Sequence, residues 1–265
     1  MKNLFVVGYL VLGFIQFTCA QEKTELSDEQ LLKLYAGLRV ADISDGMDMI
    51  GMPDIGLMDR VIAPLWKDIE QFKHQLVGIA FTVRYVPANR APHPGNISRE
   101  EYKKWRDLWY THDSGEPFIE QIKPGHVILV DNADDGDTGS IGSNNSLLWT
   151  KKGAVGIIAA GGIRDTDEII KQKIPVYMDY EKRGRGIRPG RNLLDSYNEP
   201  VVVGGVYIHP GDVIVADGDG VIVVPRKVAL EVADAAHEEL RLDKAARRKL
   251  YQELGIPLDF ICGGR

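Results

Sequence analysis

Cysteine is nearly absent: two residues in 265, Cys19 and Cys262, stand at opposite ends of the chain. A cysteine zinc site is therefore excluded, and a disulfide framework with it. Cys262 has no histidine neighbour in sequence and lies in a glycine-ended tail, which reads as a bystander rather than a nucleophile. Positive charge is also short, with 32 Lys and Arg against 38 Asp and Glu for a formal net charge of −6. That balance argues against nonspecific nucleic-acid binding. No glycine-rich nucleotide loop is followed by an acid-ended strand, so nothing supports a nucleotide-dependent methyltransferase.

Long apolar runs are missing with one exception. Residues 4–17 are almost wholly apolar after a short basic end at Lys2, and Thr18-Cys19-Ala20 closes on a small residue. The pattern is that of a signal peptide over residues 1–20, cut after Ala20, and implies an exported, periplasmic or secreted protein. The run is short for a transmembrane helix, and QEKTELSDEQ after it is polar and acidic. Lipidation of Cys19 is the lesser alternative, because Gln16 and Phe17 fit a lipoprotein signal poorly. Residues 21–265 then suffice for one domain with a sizeable core.

Within that span the pattern is α/β. Ser27 with Gln30 forms a capping-box signal that opens the apolar-periodic LLKLYAGL. Asp42 and Asp45 in ADISDGM read as turn and cap chemistry. Strands are expected over residues 76–86, 127–131, 155–159, 201–208, 213–216 and 221–224, the last two joined by a tight turn at Asp217-Gly218-Asp219-Gly220. His74, within Lys73-His74-Gln75, reads as a surface residue. Residues 227–254 form a charged helix stopped by Gly255, whose acids Glu231, Asp234, Glu238 and Glu239 read as a solvated face. Two stretches are long. Residues 87–125 hold a second capping box, Ser98 with Glu101, before EYKKWRDLWY, and residues 178–197 scatter Tyr180, Arg183, Arg185, Arg188 and Arg191 among glycines. The arginines suit either an anion-binding loop or solvated surface.

The richest stretch is GSNNSLLWTKKGAVGIIAAGGIRDTDE, residues 142–168. A short apolar strand ends at Gly161-Gly162, and Arg164-Asp165 open the helix that follows. In open α/β sheets ligands bind at the carboxyl ends of strands, where helix N-termini offer free N–H groups. Arg164 offers a planar fork for a carboxylate, and Asp165 a hard oxygen for Mg²⁺ or Mn²⁺. The plainer alternative makes Asp165 a helix cap, Glu168 a first-turn acid and Arg164 half of a surface ion pair.

The segment resembles the signature of the RraA-like family, which includes the class II 4-hydroxy-4-methyl-2-oxoglutarate aldolases: a glycine, about twenty residues, then Arg-Asp, two residues and an acid. Gly142, Arg164, Asp165 and Glu168 answer to it. LVGIAFTVR, IKPGHVILVDNA and HPGDVIVADGDGVIVVPR resemble further family strands, so the likeness runs over about residues 35–230. It implies a layered β/β/α, swivelling-domain-like α/β fold in a single domain over residues 21–265, with an added C-terminal helix. It also implies a divalent-metal-dependent lyase, of aldolase or decarboxylase type, acting on an α-keto acid through a metal-stabilised enolate. Arg164, Asp165 and Glu168 would be catalytic, Asp165 the ligand of Mg²⁺ or Mn²⁺, and Gly142, Ser143, Asn144, Asn145 and Arg164 the substrate contacts. A homo-oligomer, trimer or hexamer, is implied as well, with an acid of the final helix completing a neighbour's site. The family's aldolases commonly carry an acid directly after the glycine, where this chain has Ser143, so the proton-transfer residue is open, with His93 a loop candidate. The alternatives are a metal-dependent lyase on an oxidised sugar or sugar acid, and a non-catalytic binding or regulatory protein.

Overall fold

The computed structural model describes residues 26–89, 95–134, 138–182, 186 and 188–263. The signal-peptide segment, His93, Arg183 and Arg185 lie outside the described residues. In chain order the elements are α1 (Asp28–Tyr35), α2 (Val40–Met49), β1 (Ile62–Pro64), β2 (Leu76–Pro87), α3 (Arg99–Leu108), β3 (His126–Asp131), α4 (Ser143–Lys152) and β4 (Gly156–Ala159). They continue with α5 (Thr166–Gln172), β5 (Val176–Asp179), β6 (Asn192–Tyr197), β7 (Val201–Val203), β8 (Val206–Ile208), β9 (Val213–Asp217), β10 (Gly220–Val224) and α6 (Ala229–Leu254).

Eight strands make one sheet in the order β1-β5-β4-β3-β2-β9-β10, with β6 also pairing β2. The pairs β2–β3, β3–β4 and β4–β5 are parallel, so each needs a crossover, and α4 and α5 supply the last two. These central strands read as continuous apolar runs because both faces are covered. Along β3, Ile128 and Val130 face a cluster with Trp149 of α4, Ile169 of α5 and Ile157. Val127 and Leu129 face the opposite way, into a cluster with Ile158, Ile214 and Val221 that is closed by Val201, Val203 and Ile208 of the β7–β8 hairpin. A third cluster packs α1, α2 and α6, through Leu31, Ile43, Met47, Val232 and Ala236, onto Ile79, Val213 and Ile222. Helix, sheet and hairpin thus form the layered α/β arrangement that the family resemblance implies, with α6 as the added C-terminal helix.

Local signals fold as their chemistry dictates. Ser27 and Gln30 exchange hydrogen bonds at 3.3 and 2.8 Å at the start of α1, and Ser98 and Glu101 do the same at 3.2 and 2.8 Å at the start of α3. Asp42 accepts the N–H of Arg39 at 2.9 Å and caps α2. Asp217 closes the β9–β10 turn by accepting the N–H of Asp219 at 2.8 Å, while its other oxygen accepts the N–H of Val40 at 2.9 Å.

Three expectations are corrected. Residues 201–208 are two short strands, because Gly204 and Gly205 both adopt positive φ and turn the chain back on itself. Residues 178–197 are not all loop: β5 ends there and β6 pairs antiparallel with the second half of β2. His74 is buried, not on the surface; its Nδ1 accepts the N–H of Asp68 at 3.1 Å and its carbonyl accepts the Tyr177 hydroxyl at 2.9 Å.

Gly46 of α2 sets how closely that helix approaches α6. A Cβ there would lie 2.8 Å from the carbonyl oxygen of Val232 and 3.0 Å from the backbone nitrogen of Ala236. On an open helix Gly→Ala stabilises by about 1 kcal/mol. Here backbone must yield, so Gly46→Ala is expected to destabilise by about 2 kcal/mol. A raised or unchanged denaturant midpoint would contradict this packing.

Candidate active site

Beyond the carboxyl ends of β3 and β4 two segments run side by side. The N–H of Ile141 donates to the carbonyl of Gly162 at 3.0 Å, and the N–H of Arg164 donates to the carbonyl of Ile141 at 2.9 Å. These bonds form a parallel bridge between Ile141 and Ile163, both fully buried. The bridge sets Gly142, which precedes α4, against Arg164 and Asp165, which precede α5.

Asp165 adopts φ 57° and ψ 41°, the left-handed region. Aspartate reaches it at a cost of about 1 kcal/mol, and such residues cluster at functional sites. The side chain does not cap its own helix. Its Oδ2 instead accepts the N–H of Ser143, the first residue of α4, at 3.3 Å. Glycine is needed at 142, since a Cβ there would lie 2.6 Å from that oxygen and 3.6 Å from Nε of Arg164. The backbone N–H groups of Asn144 and Asn145 have no partner among the described residues. Arg164 keeps only a loose approach to Asp165, Nη1 to Oδ1 at 4.0 Å, with the two side chains 34% and 37% exposed. Its Nε is buried and without a partner among the described residues. A guanidinium with open donors therefore lies beside an open helix N-terminus, an arrangement that receives an anion.

Behind it sits Asn132, 1% exposed, with neither amide atom paired among the described residues; buried Ser140 Oγ is likewise unpaired. Both long stretches reach this floor. Gly139 donates its N–H to the carbonyl of Gly186 at 2.7 Å, and Gly162 donates to the carbonyl of Lys182 at 3.3 Å, which brings Lys182 and Gly186 to the segment that carries Arg164. From residues 87–125, Trp109 donates its indole N–H to Asn192 at 2.9 Å. Beside it, burial pushes the Tyr110 phenol up while the nearby Arg164 charge pulls it back. Glu116 accepts from Asn145 Nδ2 at 2.5 Å and from Trp149 Nε1 at 3.1 Å. Burial lifts its carboxyl above the usual range in spite of both donors.

Gly142, Ser143, Asn145, Arg164 and Asp165 thus converge, with Asn144 alongside. Glu168 does not join them: it is exposed in the first turn of α5 and makes no hydrogen bond to Arg164 among the described residues. Sequence reasoning missed Glu116 and Asn132, and it read Tyr110, with Trp105 and Trp109, as interface or core in preference to a ligand platform. Of the missed pair only Asn132 carried a local signal, as a polar residue directly after a buried strand.

As a metal site the donor set is sparse. Among the described residues no three His, Cys, Asp or Glu side chains gather to hold an ion. What remains is the single hard oxygen of Asp165 Oδ1, which fits a Mg²⁺ or Mn²⁺ that keeps most of its water, and does not fit an all-protein cage.

The family model described as RraA-like, Aldolase/RraA, matches residues 40–223, a stretch that runs from the start of α2 into β10 and contains both segments of the site. The chain belongs to the RraA-like family. A relative from Halalkalibacterium halodurans named "Putative 4-hydroxy-4-methyl-2-oxoglutarate aldolase" is 32% identical over 132 residues, 49% of this chain and 60% of that protein. This chain therefore aligns with less than two thirds of that relative's length. Among solved structures, one named for "novel cellulases from microbes associated with the gut ecosystem" superposes with TM-score 0.64 at 26% identity, covering 85% of this chain and 90% of that one. Streptomyces coelicolor RraAS2, named as a member of the RNase ES inhibitor RraA protein family, superposes with TM-score 0.63 at 24% identity over 84% of this chain and 98% of its own, a likeness of fold. In this RraA-like chain α6 lies wholly beyond the matched stretch, and the positions that follow Gly142 are Ser143, Asn144 and Asn145.

The left-handed backbone at Asp165 gives a stability test. Asparagine tolerates that conformation and keeps an acceptor for Ser143, whereas alanine does neither. Asp165→Ala is expected to cost about 2 kcal/mol more than Asp165→Asn in urea unfolding. Equal costs would mean that neither strain nor the cap acts there.

Proposed function

We propose that this chain is a divalent-metal-dependent lyase, of aldolase or decarboxylase type, that cleaves a carbon–carbon bond in an α-keto acid. The observation that carries the reading is the buried, unpaired Nε of Arg164 beside the open N–H groups of Asn144 and Asn145, with the Asp165 carboxylate between. The name of the Halalkalibacterium relative supports the same class.

The charge logic follows from these groups. Cleavage leaves an electron pair on the carbon next to the keto group, and negative charge spreads onto the keto oxygen. Arg164 grips the substrate carboxylate through two N–H donors and lends positive charge to the adjoining oxygen, where preorganised donors act most strongly. The N–H groups of Asn144 and Asn145 orient the same carboxylate along the α4 dipole. A Mg²⁺ or Mn²⁺ held by Asp165 and water would supply Lewis-acid polarisation of the keto oxygen. Gly186 and Tyr110, one from each long stretch, lie close to Arg164 and narrow its exposure to water. Ser143 cannot act as a carboxylate base, which favours substrates that need no base at a leaving hydroxyl; loss of carbon dioxide from a β-carboxylate is such a reaction. The reading carries with it an exported protein, through residues 1–20, and a homo-oligomer, trimer or hexamer.

A second reading, a metal-dependent lyase on an oxidised sugar or sugar acid, draws support from the two long segments at the site and from the name of the gut-microbe structure. A non-catalytic binding protein is the third, in which the same cradle holds an anion without turnover.

Purified protein is expected to release pyruvate from oxaloacetate or 4-hydroxy-4-methyl-2-oxoglutarate with Mg²⁺ or Mn²⁺, and Asp165→Asn to abolish it while staying folded. Arg164→Lys, which loses the planar fork, is expected to lower kcat/KM by about a hundredfold. Elimination from keto-sugars without pyruvate release would move the assignment to the second reading; anion binding without any turnover would move it to the third.

A further inference from the structure

Glu116 has no part in the chemistry above, yet both of its oxygens are engaged by α4. Oε1 accepts Nδ2 of Asn145 at 2.5 Å, Oε2 accepts the indole N–H of Trp149 at 3.1 Å, and Asn145 Oδ1 in turn accepts the N–H of Gly142 at 3.2 Å. The polarity of this chain of bonds is fixed at both ends. An ionised carboxylate only accepts, and a backbone or indole N–H only donates. Asn145 is therefore locked with its oxygen toward Gly142 and its amide nitrogen toward Glu116. Turning it over would set donor against donor at one end and acceptor against acceptor at the other. Asn145 is also the third residue of α4, where the open N–H groups lie.

We propose that Glu116, carried by the long segment before β3, is a positioning residue: it orients Asn145 and thereby holds the first turn of α4 in the shape that receives the substrate carboxylate. The proposal rests on the keto-acid reading for what the cradle binds, and on the hydrogen bonds alone for what Glu116 orders. No cation is paired with Glu116 among the described residues, so its partners are these two neutral donors. Burial raises its carboxyl, so the folded chain holds that proton more tightly than the unfolded one. The stability linked to the proton is present below the unfolded pKa and is lost as pH rises through the folded pKa. A neutral side chain of equal size avoids the cost of burying a charge, so it is not expected to unfold the protein. That separates local ordering from scaffolding.

The test compares the full chain with Glu116→Gln and with the double variant Glu116→Gln/Asn145→Asp. In the single variant the amide at position 116 can accept from Asn145 Nδ2 or from the Trp149 indole N–H but not from both, so a donor faces a donor at one of the two contacts and the lock is weakened. In the double variant the carboxylate placed at position 145 accepts both from the amide nitrogen at position 116 and from the Gly142 N–H, while the amide oxygen at position 116 still accepts from Trp149. Hydrogen exchange at the Gly142 amide is expected to quicken about tenfold in the single variant and to return in the double, with melting temperature unchanged or raised in the single. With oxaloacetate as probe, the single variant is expected to raise KM about tenfold and leave kcat within about threefold. Unchanged exchange at Gly142, no restoration by the second substitution, or a general loss of stability would overturn the proposal. A lost kcat at unchanged KM would also overturn it, by making Glu116 a proton-transfer group. If the unmodified protein neither turns over nor binds oxaloacetate, the keto-acid reading fails, and exchange at Gly142 still decides the role of Glu116.

Discussion

The parallel bridge between Ile141 and Ile163 is the constraint on which the site depends. Two backbone hydrogen bonds, at 3.0 and 2.9 Å, join the segment after β3 to the segment after β4. Without them the start of α4 and the Arg164-Asp165 pair would belong to separate crossovers. With them a helix N-terminus, a carboxylate and a guanidinium meet beyond the carboxyl ends of two central strands. The bridge is itself secured by burial, since Ile141 and Ile163 both belong to the cluster under α4 and α5. Packing on one side of the sheet thus fixes polar geometry at its end.

Around that junction several groups are held in conditions that cost free energy. Asp165 occupies the left-handed region, Asn132 is buried with its amide unpaired among the described residues, Arg164 has a buried N–H without an acceptor there, and Glu116 is a carboxylate kept from water. Each such feature costs about 1–3 kcal/mol. They are gathered within one loop-lined corner and are balanced by the three apolar clusters elsewhere. Concentration of strain and unmet hydrogen-bonding capacity in one place is the physical mark of a preorganised site.

Legibility in the sequence followed the range of the interaction. The capping boxes at Ser27 and Ser98 span three residues and could be read directly, as could the Asp217–Gly220 turn. Arg164-Asp165 was legible because a glycine pair after an apolar strand marks the strand's carboxyl end. The approach of Ser143 to Asp165 spans 22 residues and came only through family resemblance. Glu116 was invisible, because nothing local distinguishes an acid before a proline and its partners on α4 lie 29 and 33 residues away. His74 looked exposed among polar neighbours, yet tertiary packing buries it beneath the loop it caps. The split of residues 201–208 was signalled by Gly204-Gly205, and the β-formers on both sides of the pair, Val201 to Val203 and Val206 to Ile208, masked the signal. The short strands β1 and β5 hold or adjoin prolines, and their pairing, β1 on β5 and β5 on β4, is long-range, which no local pattern encodes.

The central claim is that Arg164 and the start of α4 form one anion receptor. The most direct measurement is an amide and arginine Nε NMR titration with oxalate in the presence of Mg²⁺. Saturable shifts at Asn144, Asn145 and the Arg164 Nε, lost in Arg164→Ala, are the predicted result. Oxalate binding that leaves these three resonances unmoved, or that survives loss of Arg164 undiminished, would contradict the account.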